Sequence, residues 1–178
     1  MVLRRAFLVG AGYLSDDEMR EGSEALARSL NWKLLEYSSK DNPRDVLSSL
    51  PKINCLIQLL GDAAMLHPEG ESWLDSLGAF RQPIILKVVA TPTGNVPGFA
   101  AAYTALCKCL CVPLLGLVQV GGKWTPGVRR LDSLPWLGYF PSRSQADSSI
   151  LGSRNTCEDE NFEEIAFLLQ QRFDQLDI

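Results

Sequence analysis

The side chains best suited to chemistry sit in four glycine-containing loops. "GDAAMLHPEGES" holds Asp62 and the chain's one histidine, His67. A carboxylate and an imidazole in one loop make a general acid–base pair if the fold brings them within hydrogen-bond reach; otherwise Asp62 caps the next turn and His67 faces solvent. "TPTGNVPG" offers the Thr91 and Thr93 hydroxyls and the Asn95 amide, with Gly94 and Gly98 permitting close backbone approach. The helix predicted after it opens without acids, so its amino end suits a small anionic ligand. The same loop also reads as a tight connection capped by Asn95. Beyond it, "GGKWTPGVRR" places Lys123, Arg129 and Arg130 beside flexible glycines, as a basic lid over an anion or as a solvated loop.

The fourth loop, in "FLVGAGYLSDDE", has Gly10 and Gly12 where a cofactor's phosphates would touch the backbone. Ser15 stands where a dinucleotide turn has its third glycine, although Glu36 lies near the offset of about 20 residues expected for a ribose-binding acid. Asp16, Asp17 and Glu18 fill the first helical turn and compete with any anion for the positive end of the dipole. No lysine followed by serine or threonine trails a second glycine, so the main electrostatic parts of NTP hydrolysis are missing. The turn reads as a helix cap, and the sequence names no cofactor.

These loops need elements to hold them. "RAFLVGA", "WKLLEYS", "INCLIQLL", "QPIILKVVA" and "VPLLGLVQV" are short, largely apolar runs that read as strands, the more continuous of them as strands covered on both faces. "LPWLGYF" reads as a short sixth. Helices are expected over Asp16–Leu30, after the Asn42 cap, near Glu71–Phe80, from Pro97 or Gly98 to Leu110, and over Asn161–Leu176. Strands alternating with helices predict a three-layer α/β fold with a mostly parallel sheet, P-loop-like or Rossmann-like, and ligands beyond the strands' carboxyl ends. The expected organisation is a core over 1–141, a flexible polar segment over 142–160, and a helix over 161–178 packing on the same domain.

Composition sets the outer limits. The chain has 178 residues, 46% of them hydrophobic, and a net charge of −4. That suits one globular domain, and the absence of a lysine–arginine stripe argues against nucleic acid as a partner. The apolar part of "MVLRRAFLVGAG" is too short for a signal peptide and reads as the first strand. Val96–Val120 is interrupted by Lys108, Pro113 and Gly116, which argues against a membrane span. Five cysteines, three within "CKCLC", suggest small buried thiols in a cytoplasmic protein rather than a disulfide framework or metal site.

From Ile53 onward, "INCLIQLLGDAA", "QPIILKVVATPTGNVPGFAAAYTAL", "VPLLGLVQVGGKW" and "LPWLGYFP" follow one another in an order that resembles the dethiobiotin synthetase and cobyrinic-acid synthase group of P-loop proteins. The resemblance covers about half the chain and makes Asp62 the positional counterpart of an acid that helps hold magnesium. Gln119 or the "GGKW" loop occupies the neighbourhood of a base-reading asparagine. Because the phosphate-gripping turn is absent, the resemblance implies a shortened relative without ATP chemistry, acting in ligand sensing or protein association, with a homo-oligomer as one expected form. The alternative is an enzyme of synthetase, ligase or transferase type, working on a small anionic or nucleotide substrate through its strand-end loops.

Overall fold

A computed structural model describes residues 3–141 and 154–176. The six apolar runs form β1 (Arg5–Gly10), β2 (Lys33–Ser38), β3 (Cys55–Leu60), β4 (Ile84–Val89), β5 (Leu114–Val120) and β6 (Trp136–Phe140). They build one sheet in the order β2-β3-β1-β4-β5-β6, parallel at every pairing. Parallel neighbours require crossovers, and helices accompany them: α1 (Asp16–Arg20), α2 (Ser23–Ser29), α3 (Pro43–Ser49), α4 (Trp73–Ala79), α5 (Phe99–Cys109) and α6 (Pro126–Leu131). After β6 comes α7 (Arg154–Gln175). The expected three-layer α/β architecture is present, with a sheet that is parallel throughout.

Strand alternation divides the core. Phe7, Val9, Ile57, Leu59 and Leu86 pack on one face with Trp73 and Leu77 of α4 and Tyr103 and Cys107 of α5. Ala6, Leu8, Leu56, Ile85 and Val118 pack on the other with Leu26 of α2 and Phe162, Ile165 and Leu169 of α7. Helix starts follow the sequence signals. Ser15 with Glu18, and Ser72 with Asp75, form reciprocal capping boxes, and Asn42 caps α3 ahead of Pro43.

The helix expected over Asp16–Leu30 is broken in two. Gly22 lies at φ +69°, and a Cβ there would sit 2.5 Å from the Phe140 ring. The break serves Lys87, which is fully buried at the centre of the sheet. Its Nζ donates to the Met19 carbonyl at 2.5 Å, the Glu21 carbonyl at 2.7 Å and Ser23 Oγ at 3.2 Å. The Phe140 ring faces the same ammonium with its centroid 5.2 Å away. Burial pulls this amine from its ordinary 10.5 down to about 7, against the opposing pull of Glu21 and Glu18.

Other expectations shift. The C-terminal helix begins at Arg154 rather than Asn161, and α6 occupies part of what read as a loop. The polar segment expected over 142–160 falls, in its 142–153 portion, outside the described residues. Cys55 and Cys107 are buried as expected, but Cys109 and Cys111 are exposed at the end of α5. Among the described residues, no helix is long and apolar enough to cross a membrane.

Because the folded value of Lys87 lies below the unfolded one, the charged amine is a net cost at and below neutral pH. That cost lifts as pH rises from about 7 toward 10.5. Urea unfolding at a series of pH values should show the protein gaining stability across this window relative to Lys87→Met. Parallel pH profiles for the two proteins would contradict the depressed amine.

Candidate functional site

The loops singled out by sequence emerge at the carboxyl ends of β1, β3, β4 and β5, where open parallel sheets bind ligands. Gly10 is tightly enclosed: a Cβ there would lie 2.9 Å from the Gly12 carbonyl oxygen and 3.1 Å from Leu14. Gly12 turns at φ +88°, with the Phe99 ring of α5 3.6 Å from the position of its missing Cβ. The Gly12 backbone also interacts with the phenol oxygen of Tyr103, one helical turn further along α5. Two aromatic side chains of one helix therefore face the first turn.

Two of the acids near this turn, Glu18 and Glu36, are engaged. Glu18 Oε2 accepts from the Ser15 amide at 2.8 Å, closing the start of α1. Glu36 pairs with Arg20 at 2.9 Å and accepts from Gln58 Nε2 at 3.0 Å. The Arg20 hydrogen bond holds the Glu36 carboxyl below its usual range. The carboxylate at the ribose-binding offset thus lies within β2, bonded to the α1 layer.

Asp62 and His67 are not joined by a hydrogen bond among the described residues. Asp62 Oδ1 accepts the Tyr103 hydroxyl at 2.5 Å and the Ala64 amide at 2.9 Å. Burial, followed by the bond to Asp62, raises the Tyr103 phenol above its ordinary range, so it remains a neutral donor. His67 belongs to a small turn of its own, its amide donating to the Glu71 carbonyl at 2.9 Å and its carbonyl accepting from Gly70 at 2.8 Å. Its Nε2 is buried without a hydrogen-bond partner. Sequence reasoning passed over Tyr103. Its signal was the spacing of Phe99 and Tyr103, which puts both rings on one face of a helix otherwise rich in small residues.

The structure does bring most of the proposed ligand-binding residues together. Thr91 Oγ1 lies 3.0 Å from Thr93 Oγ1 and accepts the Asn95 amide at 3.0 Å, so the turn satisfies part of its own polarity. Lys123 lies beside it, its amide donating to the Pro92 carbonyl at 3.2 Å. Gly94 and Gly122, both at positive φ, let the two loops touch backbone to backbone; a Cβ at either would collide with Lys123 or Thr91. Gly98 opens α5 without a side-chain cap, and no acid occupies the first turn.

Beneath this junction lies Arg129, buried rather than part of a basic lid or solvated loop. It donates to the Gly94 carbonyl and, through Nε, to Gln119 Oε1 at 3.0 Å. Gln119 Nε2 in turn donates to the carbonyls of Gly121 at 2.8 Å and Lys123 at 3.3 Å. The guanidinium also stacks on Trp136, 5.0 Å from the ring centroid. Gln119 therefore directs its amide inward to hold the two loops.

Arg129→Ala should lower unfolding stability by about 3 kcal/mol, since it strands several buried acceptors. Amide hydrogen exchange at Gly94 and Lys123 should accelerate with it. A variant as stable as the parent, with unchanged exchange, would remove Arg129 from this role. No protein-family model matches the chain, and no curated protein matches it.

Proposed function

We propose that the chain is an α/β binding domain that works by association, a degenerate relative of the P-loop synthetases without their ATP hydrolysis. The observation that carries this reading is the contrast at the carboxyl rim. Asp62 is bonded to Tyr103, Gln119 and Arg129 hold loops together, and the first turn faces Phe99 and Tyr103. Apolar side chains meanwhile point to solvent there: Tyr13 is 80% exposed, Leu66 66% and Phe99 60%. Tyr13 follows the glycine that Phe99 covers, so these rings belong to one area, and contiguous apolar surface of this kind marks interaction sites. The favoured partner is a second copy of the chain.

Sedimentation velocity should show a sedimentation coefficient that rises with protein concentration, and Tyr13→Ser/Phe99→Ser should remain monomeric. ATP with magnesium should leave the melting temperature unchanged. A rise of several degrees would replace this reading with a nucleotide-dependent ligase.

One feature favours the alternative of an enzyme acting on a small anionic substrate. The uncapped, acid-free start of α5 lies next in sequence to the exposed Asn95, and Lys123 is exposed on the adjoining loop. Under that reading, inorganic phosphate titrated against the protein should bind, and Asn95→Ala/Lys123→Ala should lose that binding. Equal binding by the parent and the variant would exclude this site.

A further inference from the structure

Uncommitted positive charge also lies at the other end of the sheet. A cavity of about 290 Å³ opens where β1 and β4 begin, bounded by Arg4, Arg5, Arg81 and the C-terminal part of α7. This is close to the lower end of the range of small-molecule clefts, roughly 300 Å³. Arg4 is already engaged: it pairs with Asp174, and its guanidinium lies 6.0 Å from the Phe173 ring centroid. Arg5 and Arg81 have no ion pair or side-chain hydrogen bond among the described residues. Asp174 is the one carboxylate on the described wall. In a chain whose net charge is −4, this is a local inversion of sign.

The usual structural uses of these arginines do not account for them. A cation after a helix often serves to cap its last carbonyls. Here the backbone does so, Arg81 N donating to the Gly78 carbonyl at 3.0 Å and Gln82 N to the Leu77 carbonyl at 2.8 Å. Arg81 takes φ +49° in that cap, and its guanidinium is left over. Arg5 is the first residue of β1, beside Cys55 in the register. Arg5 also acts on that buried thiol, whose pKa burial raises and the nearby cation lowers. The rest of the wall is Gln82 together with the apolar Leu3, Pro83, Phe173 and Leu176.

We infer that this cavity is a binding site for a small phosphate monoester with an apolar body. Two guanidiniums without a partner among the described residues supply the positive charge and the donors that a phosphate dianion requires. Leu3 and Phe173 provide surface for the organic group. The site lies at the amino ends of the strands, away from the carboxyl rim, and does not depend on how that rim functions.

The test is titration of the full chain with phenyl phosphate, followed by amide NMR shifts and calorimetry. Saturable shifts should centre on Arg5, Arg81 and Phe173. Arg5→Gln/Arg81→Gln should weaken binding by about tenfold or more, as expected for losing two charge-assisted hydrogen bonds. Arg81→Gln alone, at an exposed position outside the strands, should weaken it with the melting temperature unchanged. Arg130→Gln, an exposed cation on α6, should bind as the parent does. Inorganic phosphate should bind more weakly than phenyl phosphate for want of the apolar contact, and benzoate more weakly for want of the second charge. No saturable shift, shifts centred elsewhere, unaltered affinity in the arginine variants, or equal affinity for the three probes would each overturn the assignment.

Discussion

A charge at the centre of a parallel sheet has no water to face, so the layer covering that sheet must supply its partners. Lys87 imposes this constraint. The carbonyls of Met19 and Glu21 can accept from it because the helix above stops at Arg20 and resumes at Ser23. In an unbroken helix both would point along its axis toward amides one turn ahead. Gly22 provides the left-handed step, and the absence of a side chain leaves room for Phe140, whose ring closes the other side of the ammonium. One amine thus ties β4 to the α1–α2 joint and to the end of β6.

Guanidinium groups do comparable work where the sheet is irregular. Register shifts between Leu117 and Val118, opposite β6, leave carbonyls without a regular ladder. Arg172 of α7 reaches in to donate to the carbonyls of Leu115, Pro135 and Trp136. Gly116 and Gly138 lack the side chains that would block it and Ile165, which lets α7 approach both strands. Arg129 collects the loop carbonyl of Gly94 in the same manner. Arginine suits these positions because one planar fork serves several acceptors at once.

Much of the scaffold was legible because its causes are local. "INCLIQLL" and "QPIILKVVA" read as strands from composition, and Ser15 and Asn42 mark helix starts through contacts within a few residues. Alternation of strand and helix was enough to imply a parallel sheet. What stayed hidden depends on contacts far apart in the chain. Lys87 sits inside the clearest strand pattern, and nothing near it in sequence reveals that residues 19–23 are its partners. Arg129 reads as a surface cation until Gly94 and Gln119 are placed beside it. The start of α7 was missed because "RNTCEDE" has helix-compatible residues but no apolar stripe to announce them. Of the candidate site, the cluster of Thr91, Thr93, Gly94, Asn95 and Lys123 was anticipated as residues that belong together. The bond from Tyr103 to Asp62 was not, since it joins α5 to the end of β3 across 41 positions.

That bond also bears on what chemistry the rim can perform. A general base must present a free lone pair to the proton it removes, at about 2.6–3.2 Å. Asp62 Oδ1 already takes two donors, and the nearer is a phenol whose own proton is held more firmly by burial and by the carboxylate beside it. The pair is therefore matched: an anion needing a donor, and a donor made more reluctant to ionise by that anion. Such a pair is a stable tie between two elements and a poor proton relay, because moving the proton would place a buried phenolate beside a carboxylic acid. Tyr103 is itself anchored in the core between α5 and the sheet. The contact between Tyr103 and Asp62 thus fixes the end of β3 against α5.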